Sequence, residues 1–175
     1  MSSWSISIAD PKRCLTTMMI HIRRTDSSDP DFRLLVRLLD ADLAVRDGDD
    51  HAYYAQFNTL DRLQHAIVAY ASDQAVACGA FKPFDPVSVE VKRMYTKPEH
   101  RGQGLAARVL SELEKWANEL AYSRCVLETG KMQPEALSLY QRSGYRIIPN
   151  YGPYVGVENS VCFEKPLTHL SEEQT

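Results

Sequence analysis

The sequence Val87-Ser-Val-Glu-Val-Lys-Arg-Met-Tyr-Thr-Lys-Pro-Glu-His-Arg-Gly-Gln-Gly-Leu-Ala-Ala-Arg-Val-Leu110 predicts a strand, a tight turn and a helix in direct succession. Val87, Val89 and Val91 alternate with polar residues, which is the two-residue period of a half-buried strand. The alternation breaks at Arg93-Met94, and a break of phase inside a strand indicates a β-bulge or a local splay. Beyond the turn, apolar residues recur at helical spacing: Leu105, Ala106, Val109, Leu110, Leu113, Trp116, Ala117 and Leu120.

The turn between the strand and the helix has the properties of an anion site. The first turn of a helix carries unpaired N–H groups and the positive end of the helix dipole. Gly102 and Gly104 leave room for a phosphate to approach those N–H groups. Basic residues lie nearby in the sequence: Lys97, His100, Arg101 and Arg108. Two glycines alone would equally fit an ordinary tight surface turn. A P-loop fits worse, since its Gly-Lys-Ser/Thr ending is missing, and a dinucleotide fingerprint would need a third glycine.

The same stretch resembles the GCN5-related N-acetyltransferases, known as the GNAT family. The family signature, Gln/Arg-x-x-Gly-x-Gly/Ala, lies between its fourth strand and third helix, and here it reads Arg101-Gly-Gln-Gly-Leu-Ala106. In the neighbouring frame, Glu99 stands where Gln or Arg is usual. Two further runs are similar to the family: Glu90–Arg101 resembles its fourth strand, and Ala136–Tyr145 resembles its later helix and turn. The resemblance extends over roughly residues 19 to 167.

This resemblance implies a single α/β domain with a mixed, mostly antiparallel sheet of six to seven strands, flanked by helices and splayed between its central strands. We expect this domain at residues 18–167, after an irregular N-terminal extension (1–17) and before a polar tail (168–175). It also implies acetyl-CoA as co-substrate, without a metal. The cofactor-binding positions that it implies are Met94, Tyr95, Thr96, Arg101, Gly102, Gln103, Gly104, Leu105, Ala106 and Gln133. Gln133 departs from the asparagine that many relatives carry.

Two residues match catalytic positions of the family. Glu90 is the carboxylate of the predicted fourth strand and matches a position that often supplies the general base, directly or through water. Tyr140 matches the position of the acid that protonates the departing thiolate. The alternatives are an outward-facing surface glutamate and a tyrosine packed on a helix face.

The acceptor pocket is expected to involve polar and aromatic residues from two loops. In the family, the segment between the first and second strands forms one wall of this pocket. Our candidates are His51, Tyr53, Tyr54, Gln56, Asn58, Tyr151 and Tyr154. A short helix that packs Tyr53 and Phe57 against the core would explain the first group equally well. Aromatic faces together with Glu90 favour a cationic acceptor over an acidic one.

Composition excludes several other classes of protein. The 175 residues suit one domain, with 44% hydrophobic and 25% charged residues. A net charge of -3 argues against a broad nucleic-acid face. The cysteines are scattered without metal spacing, which favours reduced structural thiols: Cys14, Cys78, Cys125 and Cys162. No apolar run reaches the ~20 residues of a membrane span, and no signal-peptide core is seen, so we expect a cytoplasmic protein.

The remaining elements follow from periodicity and from turn residues. We expect strands at 19–24, 66–70, 75–81, 124–129, 145–148 and 160–164, and further helices after Asp29-Pro30 and from Pro134. Ser72-Asp73 should form a tight hairpin, Lys82–Pro86 a turn and Arg46–Asp50 a charged break.

The sequence thus predicts a transferase, an acetyl-CoA-dependent N-acetyltransferase that acts on a primary amine of a small molecule by direct attack in a ternary complex. Two alternatives stay open: acetylation of a protein lysine or N-terminus, and a non-catalytic acyl-CoA-binding regulator. The expected partner is the small-molecule amine, with no nucleic acid and no membrane. A homodimer also stays open.

Overall fold

The computed structural model describes residues 19–168 except 51, 53–55 and 57–62. The strands are β1 (Ile20–Thr25), β2 (His65–Ala71), β3 (Gln74–Asp85), β4 (Ser88–Thr96), β5 (Arg124–Gly130), β6 (Arg146–Ile148) and β7 (Ser160–Pro166). The long α-helices that flank the sheet are α1 (Pro30–Asp47), α2 (Leu105–Glu119) and α3 (Pro134–Arg142). The expected N-terminal extension lies outside the described residues, as does most of the polar tail.

The seven strands of the described residues form one sheet in the order β1-β2-β3-β4-β5-β7-β6. Neighbouring strands are antiparallel except β4 and β5, which run parallel. The predicted mixed, mostly antiparallel architecture is therefore confirmed.

β4 contains the bulge that its broken alternation predicts. Ala80 pairs with Lys92 and Cys78 pairs with Tyr95, so β4 advances three residues while β3 advances two. Arg93 absorbs the extra residue with a left-handed φ of 60°. Its guanidinium donates to Asp40 of α1 at 2.7 Å, which ties the bulge to that helix.

The two faces of the sheet carry separate cores. α1 covers one face through its buried stripe of Phe32, Leu35, Val36 and Leu39. α2 covers the other face through Leu105, Val109, Leu110, Leu113 and Ala117. Gly79 of β3 lies under α2, and a Cβ there would come within 2.5 Å of the Met94 Sδ atom and 2.9 Å of Leu113. The helix and the bulge can therefore approach the sheet only because residue 79 has no side chain.

Most of the helix and turn positions predicted from the sequence are confirmed by the structure. Asp29 caps α1 by accepting from the N–H groups of Asp31 and Phe32, and Pro30 opens its first turn.

Some of the predicted element boundaries were wrong. Lys82–Asp85 continues β3 because it pairs with β4 through Asp85 and Ser88, so the expected turn shrinks to Pro86-Val87. Val87 precedes the strand and is exposed, and Leu120 lies beyond the end of α2. Arg46 and Asp47 still belong to α1.

Candidate active site

A cleft opens where β4 and β5 separate. The two strands pair only from Ser88 to Glu90 against Arg124 to Val126. Past this point β4 keeps pairing with β3 through Thr96, while β5 keeps pairing with β7 through Gly130. The β5-facing N–H and C=O groups of Val91–Thr96 therefore have no partner strand within the described sheet. The resulting cavity measures about 480 Å³.

The glycine turn forms one end of this cavity. Gly102 and Gly104 have φ angles of 74° and 76°, and Gly104 precedes the first residue of α2. Among the described residues, no side chain caps that helix, and none lies within 4 Å of a Cβ built at either glycine. The first-turn N–H groups of this 15-residue helix are therefore left without a side-chain acceptor among those residues. Leu105 and Ala106 also line the cavity.

Two of the basic residues around the turn, Arg101 and His100, are less available for binding an anion than the sequence suggests. Arg101 donates to the Thr96 carbonyl oxygen and to the Asp42 carboxylate, each at 2.9 Å. It therefore braces the turn against β4 and α1. His100 is buried, and its Nδ1 has no hydrogen-bond partner among the described residues.

The predicted β4 residues line the same cavity. Met94, Tyr95 and Thr96 lie on the stretch that has separated from β5. The Thr96 Oγ1 atom is buried and has no partner in the described part of the chain. On the opposite wall, Gln133 immediately precedes α3.

Tyr140 reaches the cavity from α3. Its ring packs against Tyr145 and Phe163, with centroid separations of 5.8 Å in both cases. The side chain is only 5% exposed, and burial, with a smaller contribution from the charge of Glu128, raises the pKa of its phenol. The phenol therefore stays protonated at neutral pH and is able to donate.

Glu90 lies in a second, adjoining pocket of about 360 Å³. The Tyr151 hydroxyl donates to Glu90 Oε1 at 3.0 Å, and the Nζ atoms of Lys82 and Lys92 lie 3.6 and 3.4 Å from Oε2. The Lys92 Nζ also lies 3.3 Å from the Tyr154 hydroxyl. Lys92 and Tyr154 line both pockets, so the two spaces meet there.

The structure brings some of the predicted acceptor residues together. Gln56, Tyr151 and Tyr154 line the pocket that contains Glu90. His51, Tyr53, Tyr54 and Asn58 lie outside the described residues. Tyr151 is held against Phe84, with ring centroids 4.9 Å apart, and burial raises the pKa of its phenol.

Two charged residues of the cavity were missed at the sequence level. Lys92 is 13% exposed, and burial lowers the pKa of its ammonium, an effect that Glu90 partly offsets. Glu128 lies on β5 beyond the last residue that pairs with β4. The available signal was a carboxylate inside the apolar run Val126-Leu-Glu-Thr129, since a buried strand rarely holds an ionisable residue without a role.

Metal ligands and membrane-spanning helices were searched for within the described ranges. There, no group of three His, Cys, Asp or Glu side chains could hold a metal ion. Cys78, Cys125 and Cys162 are free and buried, and burial raises the pKa of each thiol. None of the helices in those ranges has the length and apolar character needed to cross a membrane.

Comparison with known proteins identifies the family. A family model described as the acetyltransferase (GNAT) family matches residues 31–145. The chain is 35% identical over 102 residues to an IAA acetyltransferase from Azospirillum brasilense, an alignment that covers 58% of this chain and 67% of the relative. A Klebsiella pneumoniae structure described as an acyl-CoA N-acyltransferase is similar with a TM-score of 0.72 and 30% identity, over 86% of this chain and 99% of that one. The fold is also shared by the PaiA N-acetyltransferase of Thermoplasma acidophilum in complex with coenzyme A, with a TM-score of 0.65, 18% identity and coverage of 85% and 99%. The chain therefore belongs to the acetyltransferase (GNAT) family of acetyl-CoA-dependent N-acetyltransferases.

Proposed function

We propose that this protein transfers the acetyl group of acetyl-CoA to a primary amine of a small molecule, by direct attack within a ternary complex. One observation carries the proposal. A single cavity joins the open first turn of α2, the unpaired edge of β4 and the buried phenol of Tyr140. In the proposed reaction they would serve as an anion site, a strand edge for backbone pairing and a proton donor within one connected space.

The glycine turn would hold the pyrophosphate of acetyl-CoA. The N–H groups from Gly102 through Ala106, including those of Gln103 and Leu105, surround the start of α2, where the helix dipole is positive. Arg101 would keep this turn in place through Thr96 and Asp42. The coenzyme A complex of the Thermoplasma acidophilum protein, which has the same fold, supports this assignment.

The splayed edge of β4 would hold the rest of the co-substrate. The pantetheine arm carries amide groups, and these can pair with the backbone of Met94–Thr96 as an added strand would. An N–H group of the same edge could then polarise the acetyl carbonyl. Gln133 lies on the facing wall, where its amide could contact the arm.

Tyr140 would protonate the departing thiolate. Its phenol is protonated at neutral pH and faces the cavity. Glu90, the base suggested by the family resemblance, lies on the acceptor side with Tyr151. Attack on a held thioester needs the amine in its neutral form, so a carboxylate on this side could take the proton, directly or through water.

The acceptor pocket supports a small molecule more than a protein side chain. Its volume of about 360 Å³ matches the lower range of small-ligand sites. Two lysines face one glutamate there, so the predicted preference for a cationic acceptor over an acidic one loses its electrostatic basis. A polar amine that also carries an anionic or hydrogen-bond-accepting group fits these charges better.

The proposal is tested by following thiol release from acetyl-CoA with a panel of primary amines and a panel of peptides. We expect turnover with one or more small amines. Turnover with peptides alone would indicate a protein acetyltransferase. Binding of acetyl-CoA without acetylation of any amine or peptide would instead indicate a non-catalytic acyl-CoA-binding protein.

A further inference from the structure

The acceptor pocket has an excess of positive charge among the side chains that the structure describes. The charged residues that line it there are Lys82, Lys92 and Glu90. The two ammonium nitrogens lie 3.6 and 3.4 Å from the same oxygen, Glu90 Oε2, and the other oxygen accepts from the Tyr151 hydroxyl. One carboxylate is therefore shared by two cations, in a chain whose net charge is -3.

The register of the sheet places these three charges together. Lys82 pairs with Glu90 across β3 and β4, and Lys92 follows Glu90 by two residues on the same strand. Register partners and alternate residues share one face of a sheet, so the three side chains leave the same face. Phe81 and Val91, which alternate with them, belong to the core beneath α2. The charged set thus lies on the face opposite α2.

Lys82 has fewer contacts within the protein than Lys92. The Lys92 side chain is 13% exposed, and its Nζ atom also lies 3.3 Å from the Tyr154 hydroxyl. Lys82 is 47% exposed, and its one ion pair within the described ranges is, at 3.6 Å, longer than a direct hydrogen bond. An ammonium carries three donors, so Lys82 keeps donors for a ligand in the pocket.

A further carboxylate, that of Glu128 on β5, does not remove the excess of positive charge. Its charge acts on Lys92, but Glu128 lines the larger cavity and not the acceptor pocket. Burial raises the pKa of its carboxyl to about 7, so Glu128 is only partly ionised at neutral pH. The acceptor pocket therefore stays positive at neutral pH.

We propose that the acceptor is a small amino acid, a primary amine that also carries a carboxylate, and that Lys82 binds this carboxylate. The inference rests on the proposed function and names the class of its acceptor. A simple cationic amine would bring another positive charge into the pocket, whereas an amino acid brings its own counter-charge. One excess positive charge also matches a singly charged carboxylate better than a doubly charged phosphate.

The pocket gives the amino acid one orientation. Lys92 and Tyr154 line both cavities, so the amine must pass them to reach the thioester. Lys82 lines the acceptor pocket alone, so the carboxylate lies at the end that is remote from the thioester. The other walls favour an apolar side chain on the acceptor, because they include the rings of Pro83, Phe84, Tyr151 and Pro153.

The charge at the junction of the two cavities also suits the reaction. The amine must be neutral to attack, and the ammonium of Lys92 disfavours a second cation beside it. Attack on the acetyl carbon forms the C–N bond, and the C–S bond then breaks. Of the two protons that the acceptor ammonium loses, one ends on the thiol of CoA and the other in solvent.

The first test compares amino acids with their amides in the thiol-release assay. The matched pairs are phenylalanine and phenylalaninamide, leucine and leucinamide, and β-alanine and β-alaninamide. Each amide keeps the amine and the body of the acid and loses only the negative charge. We expect kcat/KM to be ~10-fold or more higher for the best acid than for its amide. Amides that react as well as the acids, or better, would overturn the inference.

Variants of Lys82 test whether this residue causes the preference. In Lys82→Met, the ratio of kcat/KM between acid and amide should fall to about 1, through a higher KM for the acid with little change in kcat. Lys82→Arg keeps the charge and should keep the preference for the acid. Lys115→Met is the matched control, because it removes the same charge from the exposed side of α2, on the other face of the sheet. A folded Lys82→Met protein with the wild-type ratio would refute the assignment.

Calorimetry gives a measurement that is independent of turnover. With CoA present, wild type should bind the acid of at least one pair more tightly than its amide, and Lys82→Met should bind the two equally. Equal binding by wild type would refute the inference even if the protein acetylates amines. Conversely, a wild type that acetylates no amine refutes the proposed function, and the calorimetric comparison then shows whether Lys82 binds a carboxylate.

Discussion

The β3 edge and the β5 edge of β4 differ in what covers them. On the β3 edge, pairing runs from Ser88 to Thr96, and the space above Gly79 is filled by Met94, Val109 and Leu113. On the β5 edge, pairing stops at Glu90, and the strand faces a cavity of about 480 Å³. The bulge at Arg93 lies in the part of β4 that is paired with β3 and no longer paired with β5. One strand is therefore covered along one edge and open to a cavity along the other.

The largest expected effect comes from adding a side chain at Gly79 of β3, where the space is already filled. Gly79→Val should destabilise the fold by at least about 3 kcal/mol, because its side chain would overlap Met94, Val109 and Leu113. Urea unfolding measures this. Gly130→Ala on β5 is the comparison variant, since its Cβ would meet the Gln133 Nε2 at an ordinary 3.4 Å. Equal stability losses for the two variants would mean that both edges are equally packed.

At the open end of the cleft, a substitution should damage binding more than folding. Gly104→Val should cost about 1–2 kcal/mol of stability through backbone strain at φ 76°. It should weaken acetyl-CoA binding by ~10²-fold or more, because the side chain enters the approach to the helix N–H groups. Calorimetry gives the affinity. Gly156→Val is the control, with the same strain at φ 77° and open space around it. Wild-type affinity in folded Gly104→Val would remove the turn from the acetyl-CoA site.

Tyr140→Phe should show a smaller effect. The ring keeps its contacts with Tyr145 and Phe163, so folding and acetyl-CoA affinity should barely change. The thiolate is a tolerable leaving group and water can substitute as the acid, so kcat should fall only ~10 to 10²-fold. Raising the pH should not restore this rate, whereas it should partly restore that of Glu90→Gln, which removes the base that the family resemblance suggests. Steady-state kinetics across pH distinguishes the two variants, and an unchanged kcat for Tyr140→Phe would exclude it as the acid.

The smallest effect is expected at Arg101, which braces the glycine turn against β4 and α1. Arg101→Gln removes the contacts with Thr96 and Asp42, and the ion pair with Asp42 is partly exposed. We expect a loss of less than about 1 kcal/mol in stability and only a few-fold loss in acetyl-CoA affinity. A loss as large as that of Gly104→Val would mean that Arg101 binds the phosphates itself.

The glycine turn was predictable because its signals are local. Two glycines, a helical apolar repeat and a broken strand alternation all lie within 24 residues, and each has one dominant structural consequence. The bulge at Arg93 and the start of α2 were found where those signals placed them.

Other features depend on contacts between distant parts of the chain. The continuation of β3 through Asp85 follows from pairing with Ser88, which overrides the turn signal of its prolines. The restraint of Glu90 by Lys82, Lys92 and Tyr151 likewise brings together three separate segments. Neither feature has a local pattern that could be read in advance.

The sequence by itself determined the family, the order of strands and helices and the place of the glycine turn, because periodicity and backbone preference act over a few residues. Only the tertiary structure decided which of the two carboxylates keeps an oxygen without a hydrogen-bond partner among the described residues. Glu90 and Glu128 are both glutamates within predicted strands, and the local sequence does not reveal what surrounds either of them. Their difference arises from neighbours supplied by β3, β7 and the loop that carries Tyr151, since hydrogen bonding and desolvation depend on what surrounds a group in space.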